Sequence, residues 1–254
     1  MNTINITKKE GYAIVQLKRG KVNAINHEMV NELSTAFDEL ENDTEIRGVI
    51  LTGIPHFFSA GLNVIELFGY DQKKMRQFMH DFGALHVQMV WFSKPLVCAI
   101  NGHSPAGGTV LAITADYRIM AEGEKYSIGL NEVAVSVQIS NNLVAGYSFW
   151  LGQHLAHKYI MAGKLLNCKE ALEAGLIDEL QTQENLLPRA EKVMQNYLLA
   201  HPKILKNTKN KVRKTWLEQL GKYNEEDLEQ SLDVWWDPEI RARMQALINR
   251  ISKR

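Results

Sequence analysis

The chain has 254 residues, enough for one α/β domain with appendages or for two small domains. Lysine plus arginine number 29, as do aspartate plus glutamate, so the formal net charge is zero. A protein without an overall positive field has no general attraction for nucleic acid. The composition therefore argues against DNA or RNA as a partner.

The two cysteines and the absence of long apolar runs suggest where such a chain would work. Cys98 lies in PLVCAI and Cys168 in LLNCKEA, two unlike settings far apart in sequence, so we expect two reduced thiols in or near a core. No apolar run reaches the roughly 18 to 20 residues of a membrane helix. The opening MNTINITKKEG has neither the apolar region of a signal peptide nor the arginine-rich pattern of a transit peptide. We expect a cytoplasmic protein without a membrane partner.

The first half of the chain alternates between predicted strands and helices. Strands are expected at 4–8, 12–17, 48–53, 96–101 and 116–121, and helices from about 27, from 72 to 92, and after 107. The first helix has an apolar face with helical spacing, formed by Met29, Val30, Leu33, Ala36, Phe37 and Leu40. This alternation predicts right-handed crossovers and a parallel sheet.

The second half is predicted to be helical, apart from a short segment at 176–180. Helices are expected at 141–151, 153–162, 168–174, 184–200, 202–219 and 224–252. Trp216, Trp235 and Trp236 would give these helices surface with which to pack on the sheet or on other subunits. The absence of repeats and linkers favours one domain with a helical C-terminal extension.

Two turns rich in small residues each follow a predicted strand. FFSAGLN spans residues 57–63, and SPAGG spans 104–108 ahead of an apolar helix. Glycines there permit positive φ and close approach of another group, and the first turn of a helix has free N–H groups. Because ligands of parallel sheets bind beyond the strands' carboxyl ends, the two turns suggest a two-donor oxyanion hole. Tight packing of helix on strand would require small residues too.

Other kinds of site fit the sequence less well. Neither turn has the spacing of a phosphate-binding loop, and no lysine follows Gly107 and Gly108. His154 and His157 are three residues apart but lack a matching set of cysteines or carboxylates, so we predict no metal site.

A reaction at an oxyanion hole without a serine or cysteine nucleophile needs a base, and the candidate is Glu132 in YSIGLNEVAV. Ile128, Leu130, Val133 and Val135 surround it in sequence, and desolvation by such neighbours would raise its pKa toward neutrality. A solvated loop glutamate is the alternative.

In order and spacing, RGVILTG, FFSAGLN, KPLVCAINGHSPAGG, ADYRIMAE and YSIGLNE resemble the crotonase (enoyl-CoA hydratase/isomerase) superfamily, over roughly residues 45 to 135. VNAI and GKLLNCKEALEAGLIDEL fit as well, and the Δ3,Δ2-enoyl-CoA isomerases of the mitochondrial type are the most similar branch. The resemblance implies a crotonase spiral of ββα units over 1–200, with a helical segment at 201–254 that forms homotrimers or hexamers.

The resemblance also assigns roles. The oxyanion donors fall on the N–H groups of Leu62 and Gly107. Hydratases carry one glutamate where this chain has Val110 and a second at Glu132, whereas the isomerases keep only the latter. Coenzyme A is expected as part of an acyl-CoA substrate and not as a separate cofactor. It would lie along the first segment at Val22 and Ala24 and along the second at Ala60, Gly61, Asn63 and Val64, with Asn131 near the acyl thioester.

These matches imply an isomerase that shifts the double bond of a 3-enoyl-CoA to the 2-trans position in fatty-acid β-oxidation. A hydratase, a dienoyl-CoA isomerase, a thioesterase and a non-catalytic scaffold stay open as alternatives. The sequence departs from the family at Asn63, where many members have aspartate, and in VSVQISNNLVAG, which lacks the Pro-Gly-rich loop of hydratases. A basic run in 203–214 could meet the CoA phosphates or form a solvated helix face.

Overall fold

The computed structural model describes residues 1–220 and 225–251. It begins with a hairpin of β1 (Ile4–Lys9) and β2 (Tyr12–Leu17), which pair antiparallel as predicted. Gly11 makes the tight turn with a φ of 80°. The first helix, α1 (His27–Asn42), follows, and all six residues of its predicted apolar face are buried.

Three consecutive stretches then repeat one plan, in which a strand of a large sheet is followed by a strand of a small sheet and then by helix. The first contains β3 (Val49–Thr52), β4 (His56–Phe57), α2 (Val64–Phe68) and α3 (Gln72–Trp91). The second contains β5 (Leu96–Ile100), β6 (Gly102–Pro105) and α4 (Gly107–Ala112). The third contains β7 (Tyr117–Ala121), β8 (Ser127–Gly129), a 3₁₀ turn (Glu132–Val135) and α5 (Asn141–Met161). This is the expected spiral of ββα units.

The later part of the chain completes both sheets. After β9 (Leu166–Asn167) and α6 (Cys168–Glu173), β10 (Glu179–Gln181) pairs parallel to β7. The large sheet has the order β1-β2-β3-β5-β7-β10 and the small one β4-β6-β8-β9. The prediction that the chain after residue 141 is helical apart from 176–180 was therefore wrong at β9, which joins the small sheet as a two-residue strand. Strands β3 and β5 are buried at every position, as expected for central parallel strands.

After α7 (Leu186–Leu198), which falls within the predicted core range 1–200, the helical extension contains α8 (Pro202–Val212), α9 (Lys214–Gln219), α10 (Glu225–Trp236) and α11 (Pro238–Ile251). The predicted helix 202–219 divides at Arg213, and 224–252 divides before Pro238, which can begin a helix but not continue one. The ends predicted at 224 and 252 lie outside the described residues. The predicted division within 141–162 is present, since Gly152 breaks α5 with a φ of 71° and a ψ of 156°.

The extension shares the core of the spiral. Leu228, Leu232, Trp235 and Met244 belong to the same apolar cluster as the inner faces of the large sheet and α1. Cys98 and Cys168 are buried and free, in keeping with the sequence. In residues 1–220 and 225–251, no helix combines the length and apolarity needed to cross a bilayer.

Candidate active site

Backbone hydrogen bonds hold the first small-residue turn beside the segment that follows β2. Ala60 N–H donates to Val22 (2.9 Å), Ile25 N–H to Gly61 (2.8 Å), and Asn63 N–H to Ile25 (2.7 Å). Because the groups on either side of Leu62 face Ile25, the Leu62 N–H is directed away from that segment. It has no hydrogen-bond acceptor among the described residues.

The second turn brings another free N–H to the same place. Gly107 is the first residue of α4, so its N–H has no partner within the helix. A Cβ built on Gly107 would lie 3.3 Å from the Leu62 nitrogen, and one built on Gly61 would lie 3.4 Å from the Gly107 nitrogen. The structure thus brings together the two predicted oxyanion donors, and a side chain at either glycine would have to displace its neighbours by a few tenths of an ångström.

The backbone conformation of the second turn differs from the sequence expectation. Positive φ occurs at Ala106 (φ 45°, ψ −116°) and not at the paired glycines. Such a conformation in a non-glycine residue costs on the order of 1 to 3 kcal/mol and persists only where the surroundings enforce it. Ala106 N–H donates to Gly129 (2.8 Å), and Gly129 N–H donates to the Thr109 hydroxyl (2.8 Å). Gly108 is needed for close packing, since a Cβ there would lie 2.8 Å from the Ser59 carbonyl oxygen.

Sequence analysis missed a network of hydrogen bonds, centred on Asn23, that holds the first turn in place. Asn23, at a φ of 49°, donates from its side chain to the carbonyls of Leu17 and Phe58 (both 3.1 Å) and accepts from Arg19 N–H (2.8 Å). The Ser59 hydroxyl donates to the Asn23 carbonyl at 2.7 Å. The available signal was the polar side chain of Asn23 among the apolar residues of VNAI, within the segment 22–24 expected to bind substrate.

Glu132 opens the 3₁₀ turn and is only 6% exposed. Its Oε2 has no hydrogen-bond partner among the described residues, and burial raises the pKa of its carboxyl to about 7. The predicted pKa shift is therefore present. Of the four apolar neighbours expected to cause it, Ile128 and Leu130 are buried and Val135 lines the same cavity as Glu132, whereas Val133 is 52% exposed. Residues of α3, α4 and α10, which are distant in sequence, line that cavity as well.

A cavity of about 450 Å³ connects these groups. Leu62, Gly107, Val110 and Glu132 line it together with the apolar face of α3 and residues of α10 and α11. Val110, at the position where the resemblance places the second glutamate of hydratases, is 1% exposed and lines the same cavity. The other carboxylate in the lining, Asp227, accepts from the Asn141 N–H at 3.0 Å.

Residues 7–248 match the family model described as enoyl-CoA hydratase/isomerase. The chain belongs to this family. It is 34% identical over 220 residues to the mouse "Enoyl-CoA delta isomerase 1, mitochondrial", covering 86% of this chain and 76% of the relative. The crystal structure of human mitochondrial Δ3-Δ2-enoyl-CoA isomerase superposes with a TM-score of 0.94 at 28% identity, covering 99% of this chain and 98% of that one. A short-chain-enoyl-CoA hydratase of Clostridium acetobutylicum is 25% identical, covering 84% of this chain and 82% of the relative.

Most of the residues expected to bind the substrate of such an enzyme lie at or beside the cavity. Ala60, Val64 and Asn131 line it, and Asn131 Oδ1 is buried without a hydrogen-bond partner in the described part of the chain. Val22 and Ala24 lie in the segment that is hydrogen-bonded to the first turn.

Asn63 is hydrogen-bonded to Glu66, and these bonds explain why an asparagine can stand where many members of the family have an aspartate. Its Oδ1 accepts from Glu66 N–H (3.4 Å) at the start of α2, and its Nδ2 donates to the Glu66 carboxylate (2.9 Å). An aspartate would place two carboxylates in contact. The Glu66 carboxylate also accepts from Arg19 and Tyr70, so this network fixes α2 directly after the Leu62 donor.

Two members of the basic run 203–214 neither lie on a solvated face nor reach toward phosphates. Lys209 Nζ and Arg213 Nη2 each form an ion pair with Asp116 at 2.7 Å, and both side chains are buried. The helical spacing in the sequence could not reveal this, because the partner carboxylate precedes β7 about a hundred residues earlier. In the described ranges, no group of three or more histidine, cysteine or acidic residues could hold a metal ion.

Proposed function

We propose that the protein is an isomerase that converts a 3-enoyl-CoA into the 2-trans-enoyl-CoA. One observation carries the proposal: a buried carboxyl without a partner, Glu132, shares a cavity with two free backbone N–H groups, while Val110 occupies the position of a second carboxylate. Movement of a double bond needs a single base, whereas hydration needs two groups to orient water and to protonate carbon.

In the proposed reaction, the thioester oxygen accepts hydrogen bonds from Leu62 and Gly107. The Glu132 carboxylate removes a proton from C2, and the electron pair is delocalised into a dienolate whose oxygen is held by both N–H groups. The protonated Glu132 then returns the proton to C4, which forms the C2–C3 double bond and restores the carboxylate. Each oxyanion donor typically contributes about 3 to 4 kcal/mol to lowering such a barrier.

The pKa of Glu132 suits both halves of this cycle. A carboxyl with a pKa of about 7 is a stronger base than an ordinary glutamate and is still ionised in a large fraction of molecules near neutral pH. Because burial is the cause of the raised pKa, binding of an apolar acyl chain would preserve it.

Coenzyme A enters this proposal as part of the substrate, with no separate cofactor. The pantetheine and adenine would lie along 22–24 and 60–64, which the backbone hydrogen bonds bring together. A place in fatty-acid β-oxidation follows from the proposed reaction, since double bonds at C3 must be moved before that pathway can continue.

The quaternary structure and the compartment belong to the same proposal. Exposed Leu199, Ile204 and Val212 lie near one another in sequence at the end of α7 and in or next to α8, and they support a trimer or a hexamer. Light scattering of the purified protein would measure its mass. Two free cysteines favour a reducing compartment such as the cytoplasm, although the mouse relative is named mitochondrial.

An assay of the purified protein with 3-cis- and 3-trans-enoyl-CoA esters tests the reaction directly. Formation of the conjugated thioester is followed by absorbance, and hydration of crotonyl-CoA is measured in parallel. We expect isomerisation to exceed hydration by a wide margin. Hydration as fast as isomerisation would assign the protein to the hydratase branch instead.

A further inference from the structure

The cavity contains a buried imidazole that the proposed reaction does not use. His86 lies on the face of α3 that lines the cavity, one turn after Phe82. It is 2% exposed, and neither ring nitrogen has a hydrogen-bond partner within the described part of the chain. Burial lowers its pKa to about 4, so the ring is neutral at physiological pH and has one N–H donor and one lone pair.

The surroundings of His86 indicate which hydrogen-bonding group of its imidazole, the N–H or the lone pair, has no partner. The main-chain oxygen of Val110 faces the imidazole and opposes the effect of burial on its pKa, although the pair does not meet hydrogen-bond geometry. A ring N–H directed at that carbonyl leaves the other nitrogen with a bare lone pair. The Trp216 ring lies on another side of the imidazole, with 6.5 Å between the two ring centroids. The Trp216 Nε1 likewise has no hydrogen-bond partner among the described residues.

A second unpartnered polar group borders the same cavity. Trp235 of α10 is 2% exposed, it belongs to the lining, and its Nε1 has no acceptor in the described residues. Ser231, one turn earlier in α10, is by contrast satisfied, because its hydroxyl donates to the Asp227 carbonyl at 2.8 Å. Buried polar groups are normally hydrogen-bonded, so an imidazole and an indole N–H without partners, on two residues that line one cavity, mark a place for a ligand that can both donate and accept.

We propose that the acyl chain of the substrate carries a hydroxyl group beyond C4, which donates to the His86 lone pair and can accept from Trp235 Nε1. The inference rests on the proposed function insofar as the cavity binds an acyl thioester. A plain alkyl chain satisfies neither group, and a keto oxygen can only accept. The site therefore selects hydroxyacyl chains over both, in keeping with the greater discrimination that hydrogen-bonding pockets achieve against analogues lacking the polar group.

Calorimetric titration with saturated CoA esters tests this without any turnover. Medium-chain acyl-CoA, the same chain with a hydroxyl at successive carbons beyond C4, and the matching keto esters are titrated into the intact protein. We expect one hydroxyl position to bind about three- to tenfold more tightly than the plain chain, the range that one net hydrogen bond gives. The keto ester at that carbon should gain less, because its oxygen can accept from Trp235 Nε1 but cannot donate to the His86 lone pair.

Substitutions of His86 and Trp235 then test whether these two residues cause the tighter binding of the hydroxyl ester. His86→Phe should remove the preference for the hydroxyl ester, and Trp235→Phe should reduce it. Phe82→Leu, a matched change on the same face of α3, should alter the binding of plain and hydroxyl esters equally. Circular dichroism establishes folding of each variant, and the titrations of the unmodified protein are decisive even if a variant does not fold.

Equal affinity for plain and hydroxyl esters at every position would show that His86 meets only water, and it would overturn the inference. So would a preference that survives in a folded His86→Phe variant. Binding without isomerisation would remove the proposed reaction and leave this specificity standing. A failure of every ester to bind would remove both.

Discussion

At the scale of single residues, Glu132 departs from what a loop glutamate normally does. A solvated glutamate keeps an ordinary pKa and water as its partner, whereas Glu132 is enclosed and has an oxygen without a hydrogen bond in the described structure. The lone carboxylate in an apolar stretch could be identified from the sequence. Its enclosure could be derived only in part, because Val133 is exposed and residues of α3, α4 and α10, distant in sequence, line the same cavity.

The raised pKa of Glu132 predicts a pH-dependent cost to stability. Ionisation is harder in the folded state, where the pKa is about 7, than in the unfolded state, where the pKa is near the ordinary 4.5 of a glutamate. The folded protein therefore binds more protons between these values, and stability falls as pH rises through that window. Glu132→Gln removes the titration, so its free energy of unfolding relative to the parent should increase by on the order of 3 kcal/mol between pH 4.5 and pH 8.

Urea unfolding of parent and variant at several pH values provides the measurement. Glu45→Gln is a suitable control, since Glu45 is exposed and its loss should leave the pH profile unchanged. Parallel profiles for parent and Glu132→Gln would show that this carboxyl is not the group that titrates near neutrality.

At the scale of elements, the turn before α4 was recognisable from SPAGG, but its geometry was not. Pro105, Gly107 and Gly108 indicated a turn with close approach of another group. The strained residue proved to be Ala106, whose conformation is imposed by bonds to β8 and α4 that no local pattern encodes. The small sheet escaped sequence analysis for a related reason, since strands of two to four residues carry too few positions for an alternating pattern.

Gly107→Ala should disturb the oxyanion hole, because its methyl group would lie 3.3 Å from the Leu62 nitrogen and 3.1 Å from Ile25. Alanine keeps its N–H, so we expect kcat for isomerisation to fall through displacement of the donor, by at most the roughly 10²- to 10³-fold that the loss of one donor costs, with a smaller change in ester affinity. Gly69→Ala is the matched control, since a Cβ there meets only the Glu66 carbonyl at 3.5 Å. A fully active, folded Gly107→Ala protein would argue against the assigned hole.

Val110→Glu tests why the cavity favours isomerisation. A carboxylate one turn into α4 would face the same cavity as Glu132 and could share the work of hydration. We expect a higher ratio of crotonyl-CoA hydration to isomerisation, together with a stability loss of a few kcal/mol from burying a second carboxyl. Val110→Gln has nearly the same shape without the acid, and an equal rise in hydration there would exclude the carboxylate as the cause.

At the scale of the whole molecule, one buried ion cluster joins the helical extension to the sheet. Asp116 accepts from Leu96 N–H at 2.8 Å and pairs with Lys209 and Arg213, and Arg213 also donates to the Thr114 carbonyl at 3.0 Å. The sequence predicted the helices but not this connection, since charge pairs between distant segments leave no periodic trace. The extension is thereby held where α10 and α11 can complete the cavity.

Asp116→Asn should leave two buried cations without a counter-charge and lower the free energy of unfolding by about 3 to 5 kcal/mol. The exposed pair of Lys214 and Glu218, 3.6 Å apart, offers a contrast, and Glu218→Gln should cost less than about 1 kcal/mol. Thermal unfolding of both variants checks the difference. Equal Tm values would mean that the cluster does not hold the extension to the sheet.

The account as a whole depends on Glu132 as the single base of a 3-enoyl-CoA isomerase. The most direct measurement is kcat of parent and Glu132→Gln with a 3-enoyl-CoA ester, at equal concentrations of folded protein. We predict that kcat falls by about a thousandfold or more, because the proposed reaction uses Glu132 as its one base, while ester affinity changes little. A variant whose kcat stays within about tenfold of the parent would contradict the mechanism.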